Sequence, residues 1–298
     1  MNLRSLYSKT VVCIATVFVF NTAAAQDSLD LIGNEPEPTN QKVEYSFKTS
    51  KVINLQSLEL TGAGVFDFKI NHRFGPINSG AYNAFGLDGA ITRIGGEYGV
   101  IPDVMVGFGR SSYEKTLDAY VKYRIMHQRM DNSRPVSILL LTSVARRGMN
   151  FSFDVTGRQR LAFATQLIIG RKFSESFSLL LAPSIVHYNL TPSTTPNRQY
   201  ALGIGLRQKL SKRTTLNLEY IPVLSEKGEF YNSISAGFDI ETGGHVFQLH
   251  FTNSAANNEA GFIARNTGTW NGAGVRFGFN ISRVFTIIDP SNFKNNNY

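Results

Sequence analysis

Five histidines are the side chains of this 298-residue sequence best suited to proton transfer and nucleophile activation. A serine hydrolase that keeps its histidine and serine on one strand face needs them two residues apart. No His-x-Ser motif occurs, and the nearest match, His187-Tyr188-Asn189, lacks a nucleophile. Asp88 and Asp154 lie in or beside predicted loops, but no predicted loop has a histidine. The sequence therefore predicts that the protein is not an enzyme.

Metal-binding and nucleotide-binding patterns are also missing from the sequence. There is no H-x-x-x-H or H-E-x-x-H pair, and the acidic residues are scattered rather than spaced as in a calcium loop. The glycines form neither a G-x-G-x-x-G nor a Walker pattern. We therefore expect no cofactor. A net charge of +8 without a recognition module gives no reason to expect nucleic acid as a partner.

The first 25 residues have the pattern of a secretory signal peptide. Arg4 and Lys9 precede the apolar run 10–20, and the alanines 23–25 follow it. The only cysteine, Cys13, lies inside this run, so the exported chain would contain no thiol. Residues 26–60 are at first acidic and proline-containing and then alternate only briefly. We predict that they form a flexible periplasmic lead-in or plug with one or two short strands.

After Gly62 the sequence changes to segments of about ten residues in which apolar and polar side chains alternate, as in VFDFKINHRFG at 65–75. Tight turns and longer loops connect these segments in near-regular alternation. The twelve segments are 65–75, 89–99, 103–111, 115–127, 136–146, 159–172, 177–189, 199–210, 214–223, 232–241, 245–253 and 273–287.

This pattern predicts an all-β protein, a transmembrane antiparallel up-and-down β-barrel of about twelve strands over residues 61–288, followed by a C-terminal tail, 289–298. Turns at one end and loops at the other predict an outer-membrane location with both termini in the periplasm. The alternative is a soluble periplasmic sandwich or closed barrel, in which the apolar faces of the strands are buried in protein. Two stretches, 138–141 and 179–182, are apolar on both faces, which suggests that they cover other lumen residues or the N-terminal segment. Pro183 predicts a bulge.

The polar phase of the strands predicts which side chains line the lumen. It carries a surplus of three positive charges, because nine cations share it with six anions. The cations are Lys69, Arg73, Arg93, Lys122, Arg124, Arg160, Arg207, Lys209 and Arg276, and the anions are Asp67, Glu97, Asp118, Glu219, Asp239 and Glu241. The favoured interpretation is a ladder of ion pairs that holds the barrel in register. The other is a positive lumen that lowers the energy of an anion.

The C-terminal stretch HVFQLHFTNSAANNEAGFIARNTGTWNGAGVRFGFNISRVFTI, together with FKTSKVIN and INHRFGPIN, resembles an uncharacterised family of β-barrel proteins from Bacteroidetes outer membranes, a domain of unknown function. The resemblance covers about residues 43–288 and implies an outer-membrane barrel, with no reaction attached to it. The segment GVRFGFNISRVF also resembles the terminal strand signal read by barrel-assembly machinery, through Gly278, Ile281 and Phe285. Arg283 and the residues that continue to Tyr298 depart from that signal.

The sequence thus leads to three functional hypotheses of different kinds. The first is a narrow passive channel, or a binding site, for small and preferably anionic solutes. The second is a structural or adhesive barrel that works through its long loop, 254–272. The third is a lipid-active barrel enzyme. The expected partners are outer-membrane lipid and, during biogenesis, the barrel-assembly machinery.

Overall fold

The computed structural model of the protein describes residues 41–243, 245–271 and 274–293. The predicted signal peptide, 1–25, lies outside the described residues. So do the first part of the predicted lead-in, 26–40, and the end of the predicted tail, 294–298.

Twelve antiparallel strands close into a barrel in which each strand pairs with its neighbours in sequence and the first pairs with the last. The strands are β1 (Val65–Pro76), β2 (Ala90–Ile101), β3 (Val104–Ser111), β4 (Leu117–Met126), β5 (Ser137–Arg146), β6 (Leu161–Lys172), β7 (Phe177–Tyr188), β8 (Arg198–Lys209), β9 (Thr214–Ile221), β10 (Ser233–Glu241), β11 (His245–Thr252) and β12 (Arg276–Thr286). The predicted twelve-stranded barrel is confirmed, and each predicted boundary lies within three residues of the observed one.

The connections make the two ends of the barrel different. We call the end where β2 meets β3 the turn end, and the end where β1 meets β2 the loop end. Short helical turns occupy some of the connections and the C-terminal side of β12, at Ile77–Ser79, Ala81–Gly86, Tyr113–Lys115 and Pro290–Phe293. The β11–β12 loop is the longest connection and contains a helix, α1 (Glu259–Ala264).

The outward face of the strands is apolar and aromatic, and its charged residues lie at or near strand ends. In the strands of the described residues, every lysine, aspartate and glutamate shares the inward phase, whereas five arginines point outward. These are Arg110, Arg146, Arg171, Arg198 and Arg283. Long cationic side chains near a strand end can extend to lipid headgroups, whereas a carboxylate in this position would face hydrocarbon or anionic headgroups. The outward face is therefore suited to a bilayer.

The inward face has an apolar sector on β5–β8. Leu139, Leu141, Ile168 and Leu180 are fully buried there, which explains why two stretches of the sequence are apolar on both faces. The bulge predicted at Pro183 is wrong. The register of β7 with both neighbours continues past this residue, and the missing N–H leaves only a gap in the pairing with β6.

Residues 46–61 lie inside the barrel, and we call them the plug. Phe47, Val52 and Leu55 belong to the same buried cluster as the apolar sector of the wall. The one or two short strands predicted for this part of the lead-in are not found, because the described residues before β1 make only isolated bridges. The plug folds back on itself instead, with the N–H of Ser57 donating to the carbonyl of Ser50 at 2.8 Å.

The β11–β12 loop folds into the loop end of the barrel through α1. Asn258 caps the start of this helix, because its side chain accepts a hydrogen bond from the N–H of Gly261. Phe262 and Ile263 are fully buried, and Phe262 joins the cluster formed by the plug and the wall. No helix of the described residues has the length and hydropathy needed to span a membrane.

Replacing Phe47 by alanine is expected to lower the free energy of unfolding by about 3 kcal/mol, because the change leaves a cavity where a fully buried ring packs on the wall. Urea unfolding of the protein in detergent micelles measures this loss. The control is Tyr45→Ala, two positions earlier, because the side chain of Tyr45 is 73% exposed. Equal losses from the two substitutions would contradict the packing described for the plug.

Candidate functional site

The tip of the plug binds a buried carboxylate of the barrel wall. Glu219 of β9 accepts hydrogen bonds from three successive backbone N–H groups, those of Ile53 at 3.2 Å, Asn54 at 2.9 Å and Leu55 at 3.0 Å. The side-chain amide of Asn54 donates to the same carboxylate at 2.5 Å. Converging backbone N–H groups form an anion-binding concavity. The plug tip is therefore built around Glu219.

Two cations of β4 hold the plug through its backbone. The ammonium group of Lys122 donates to the carbonyl oxygens of Ser50 at 3.2 Å and Glu59 at 2.8 Å, and Lys122 is fully buried. The guanidinium of Arg124 donates to the carbonyl oxygen of Leu58 at 2.9 Å. These acceptors are neutral, and Arg124 also lies 3.8 Å from the carboxylate of Asp103 in the turn between β2 and β3.

Two further cations reach the plug from other parts of the wall. Arg207 of β8 donates to the carbonyl oxygen of Ser46 at 3.2 Å. Arg73 of β1 donates to the side-chain oxygen of Asn54 and, at 3.0 Å, to the carbonyl oxygen of Ser254 in the β11–β12 loop. Arg73 thus connects the plug with the loop that enters from the opposite end.

Ion pairs between wall residues account for another part of the predicted set. Lys69 lies 2.8 Å from the carboxylate of Glu97 and 3.3 Å from that of Asp67. Arg93 donates to Asp118 through its Nε at 2.9 Å and forms a second contact through its Nη2. These five residues form the kind of ladder that the sequence suggested, and it is confined to β1, β2 and β4.

The remaining predicted cations lie nearer the ends of the barrel. Arg160 and Arg276 are half-buried at the loop end, where each donates to a backbone carbonyl oxygen, that of Met149 at 2.6 Å and that of Phe74 at 3.1 Å. Lys209 is half-buried at the turn end of β8. These side chains line the two entrances rather than the middle of the lumen.

The two acidic residues of β10 have different partners. Asp239 is buried and accepts a hydrogen bond from the side-chain amide of Gln248 at 2.7 Å. Gln248 also donates to the carbonyl oxygen of Val52 in the plug at 2.5 Å. Glu241 pairs with Lys48 of the plug at the turn end, where its side chain is 46% exposed.

Sequence reasoning missed the residues through which the plug meets the β11–β12 loop. The side-chain amide of Gln56 donates to the carboxylate of Glu259 at 2.9 Å, and the ammonium group of Lys51 lies 3.8 Å from that carboxylate. Burial lowers the pKa of Lys51, and the charge of Glu259 offsets part of that shift. No periodic signal marks these positions, because neither the plug nor the loop belongs to a strand.

Two cavities of different size lie beside the plug. A cavity of about 20 Å³ lies beside the plug, lined by residues that include Lys51, Lys69 and Asn280, and it has room for about one water molecule. A larger cavity of about 310 Å³ lies at the turn end, next to Phe47 and Glu59. Between the two ends, the plug and α1 occupy the interior, with their side chains buried against the wall.

The histidines do not assemble a catalytic group in the described residues. His72 points outward, where its Nδ1 lies 2.9 Å from the hydroxyl of Thr92 and its ring stacks on Phe279. His250 points into the lumen and is buried, and neither ring nitrogen has a hydrogen-bond partner among the described residues. Within the same residues, no cluster of three potential metal ligands occurs.

A family model describing a membrane-bound β-barrel domain, DUF5777, matches residues 47–285. The match includes most of the plug and nearly all of the barrel. Comparison with curated protein sequences gives no match.

Three solved barrels are similar to this chain at low identity. The KdgM porin in complex with disordered oligogalacturonate is 11% identical, with a TM-score of 0.46 over 74% of this chain and 99% of the porin. The NanC porin is 7% identical, with a TM-score of 0.48 over 75% of this chain and 100% of the porin. LpxR from Salmonella typhimurium is 8% identical, with a TM-score of 0.35 over 74% of this chain and 99% of that protein.

Proposed function

Because the chain belongs to the DUF5777 family of membrane-bound β-barrel domains, we propose that it acts in the outer membrane as a narrow channel for small anionic solutes, closed by its own plug. In the proposed orientation the turn end and both termini face the periplasm, and the loops face outward, as is usual for barrels with short turns at one end. The predicted secretory signal is consistent with export to that membrane.

The observation that carries this proposal is the nature of the acceptors on the plug. Lys122, Arg124 and Arg207 donate to backbone carbonyl oxygens, which are neutral, rather than to carboxylates. When the plug leaves, none of the described carboxylates lies within salt-bridge distance of Lys122 or Arg207, whereas Arg124 keeps that of Asp103 at 3.8 Å. The low-dielectric wall focuses their field, so an anion in the lumen has a lower energy than a cation.

The test uses a mature chain that begins at Gly62 and therefore lacks the plug. In a planar bilayer with unequal salt on the two sides, its reversal potential is expected to favour anions severalfold, because the cations released from the plug then line the path. Replacing Lys122 and Arg124 by glutamine in this chain is expected to weaken that preference.

The matched control is R171Q/R283Q in the same chain, which removes two positive charges from the outward face instead of the lumen. The control is expected to leave the reversal potential unchanged. A reversal potential that favours cations, or an equal change in both double variants, would contradict the proposed anion selectivity.

A structural or adhesive role is the second candidate, and the filled lumen favours it. The plug enters from the turn end and α1 from the loop end, and they meet at Gln56 and Glu259. If the chain that begins at Gly62 folds but carries no current, this second function is the better one, with the loops as its contact surface.

A further inference from the structure

Two lipid-facing arginines flank one leucine at the loop end of the barrel. Leu117 of β4 pairs with Arg110 of β3 on one side and with Arg146 of β5 on the other. Since neighbouring strands are about 4.8 Å apart, the two arginines are separated by about 10 Å across the sheet. All three side chains are exposed and point outward. Neither guanidinium makes a hydrogen bond or ion pair within the part of the chain that the structure describes.

An apolar groove lies next to this pair on the outer wall. Its volume is about 470 Å³, and its lining includes Ile94, Phe108, Ala119 and Val144 together with the two arginines. Ala119 pairs with Phe108 on one side and with Val144 on the other, so a short side chain lies between two larger ones. The groove therefore lies over Ala119, the small residue of β4.

The charge around the groove is positive. Asp118 also borders the groove, but its carboxylate points into the lumen and pairs there with Arg93. Guanidinium groups bind phosphate oxygens through paired N–H donors, which makes arginine well suited to phosphate recognition.

From these observations we infer that Arg110, Arg146 and the groove form a binding site for a phosphorylated lipid. The phosphate lies between the two guanidinium groups, and an acyl chain lies in the groove beside Ala119. In the proposed orientation this lipid belongs to the outer leaflet. The site is on the outer wall and does not depend on passage of any solute through the lumen.

The test is native mass spectrometry of the full mature protein in detergent, with lipid A that carries its phosphates as the probe. Replacing both arginines, R110Q/R146Q, is expected to weaken binding about tenfold or more, because charge-assisted hydrogen bonds to phosphate are lost. Ala119→Leu is expected to weaken binding as well, because it fills the groove without changing charge. The matched control is Arg198→Gln, which removes another lipid-facing arginine at the loop end and is expected to bind as the unmodified protein does.

Two further probes separate the parts of the site. Lipid A without phosphates and inorganic phosphate alone are both expected to bind at least severalfold more weakly than intact lipid A. Equal binding of lipid A by R110Q/R146Q and Arg198→Gln, in proteins that keep their heat-modifiable mobility, would overturn the site. Equal binding of the phosphate-free lipid would overturn the role of the arginines, and equal binding of inorganic phosphate would overturn that of the groove.

Discussion

Replacing Glu219 by glutamine is expected to release the tip of the plug and to speed hydrogen exchange at the amides of residues 53–55 by about a hundredfold. The carboxylate of Glu219 accepts three backbone N–H bonds and one side-chain bond. The NH₂ group of a glutamine in its place can accept none of these bonds, because it is itself a donor. Losing two charge-assisted bonds costs about 3 kcal/mol, which corresponds to roughly a hundredfold change in an opening equilibrium. Exchange followed by fragment mass spectrometry measures it.

The control for this experiment is Glu241→Gln. Glu241 also pairs with the plug, through Lys48, but its side chain is 46% exposed, and exposed ion pairs contribute little. We expect this variant to leave exchange at residues 53–55 nearly unchanged. If Glu219→Gln has no larger effect than Glu241→Gln, Glu219 does not hold the plug.

Removing residues 26–61 is expected to open the barrel and to destabilise it. The chain that begins at Gly62 should carry current in a planar bilayer at a level well above that of the full mature chain. Its apolar sector, which includes Leu139, Leu141 and Leu180, then faces water. Each leucine exposed in this way costs about 1.5–3 kcal/mol, so the temperature of the heat-modifiable mobility shift should fall.

These two readouts test separate statements about the plug. An unchanged shift temperature would contradict the packing of the plug against β5–β8. Absence of current from a correctly folded barrel would contradict the proposal that the plug is what closes the path. Phe47→Ala should lower the shift temperature less than the deletion, since it removes one side chain.

The strands could be predicted from the sequence because each has one face toward lipid and one toward the lumen. Alternation with period two then marks every strand, as in Phe66, Phe68 and Ile70 against Asp67 and Lys69. Two stretches, 138–141 and 179–182, are apolar on both faces. The prediction that they cover the N-terminal segment is correct, since their inner side chains pack on the plug.

The partners of the lumen charges could not be predicted in the same way. Strand phase shows that Lys122 points inward, but a backbone carbonyl such as that of Glu59 is present at every residue and leaves no mark in the sequence. Side-chain contacts hold the plug and α1, rather than the backbone hydrogen bonds of a sheet. Their sequences therefore do not alternate between apolar and polar residues. The prediction of short strands in the lead-in failed for this reason.

The most direct measurement of plug closure is the current through the full mature chain with cysteines at positions 54 and 235. The side-chain amide of Asn54 lies 2.8 Å from the hydroxyl of Ser235, so a short, reducible thiol cross-linker can join cysteines at these two positions. The chain after residue 25 has no other cysteine. We predict no current while the bridge is closed and an anion-favouring current after reduction, since Asn54→Cys also removes bonds to Glu219 and Arg73. Equal current in the bridged and reduced protein would contradict closure of the lumen by the plug.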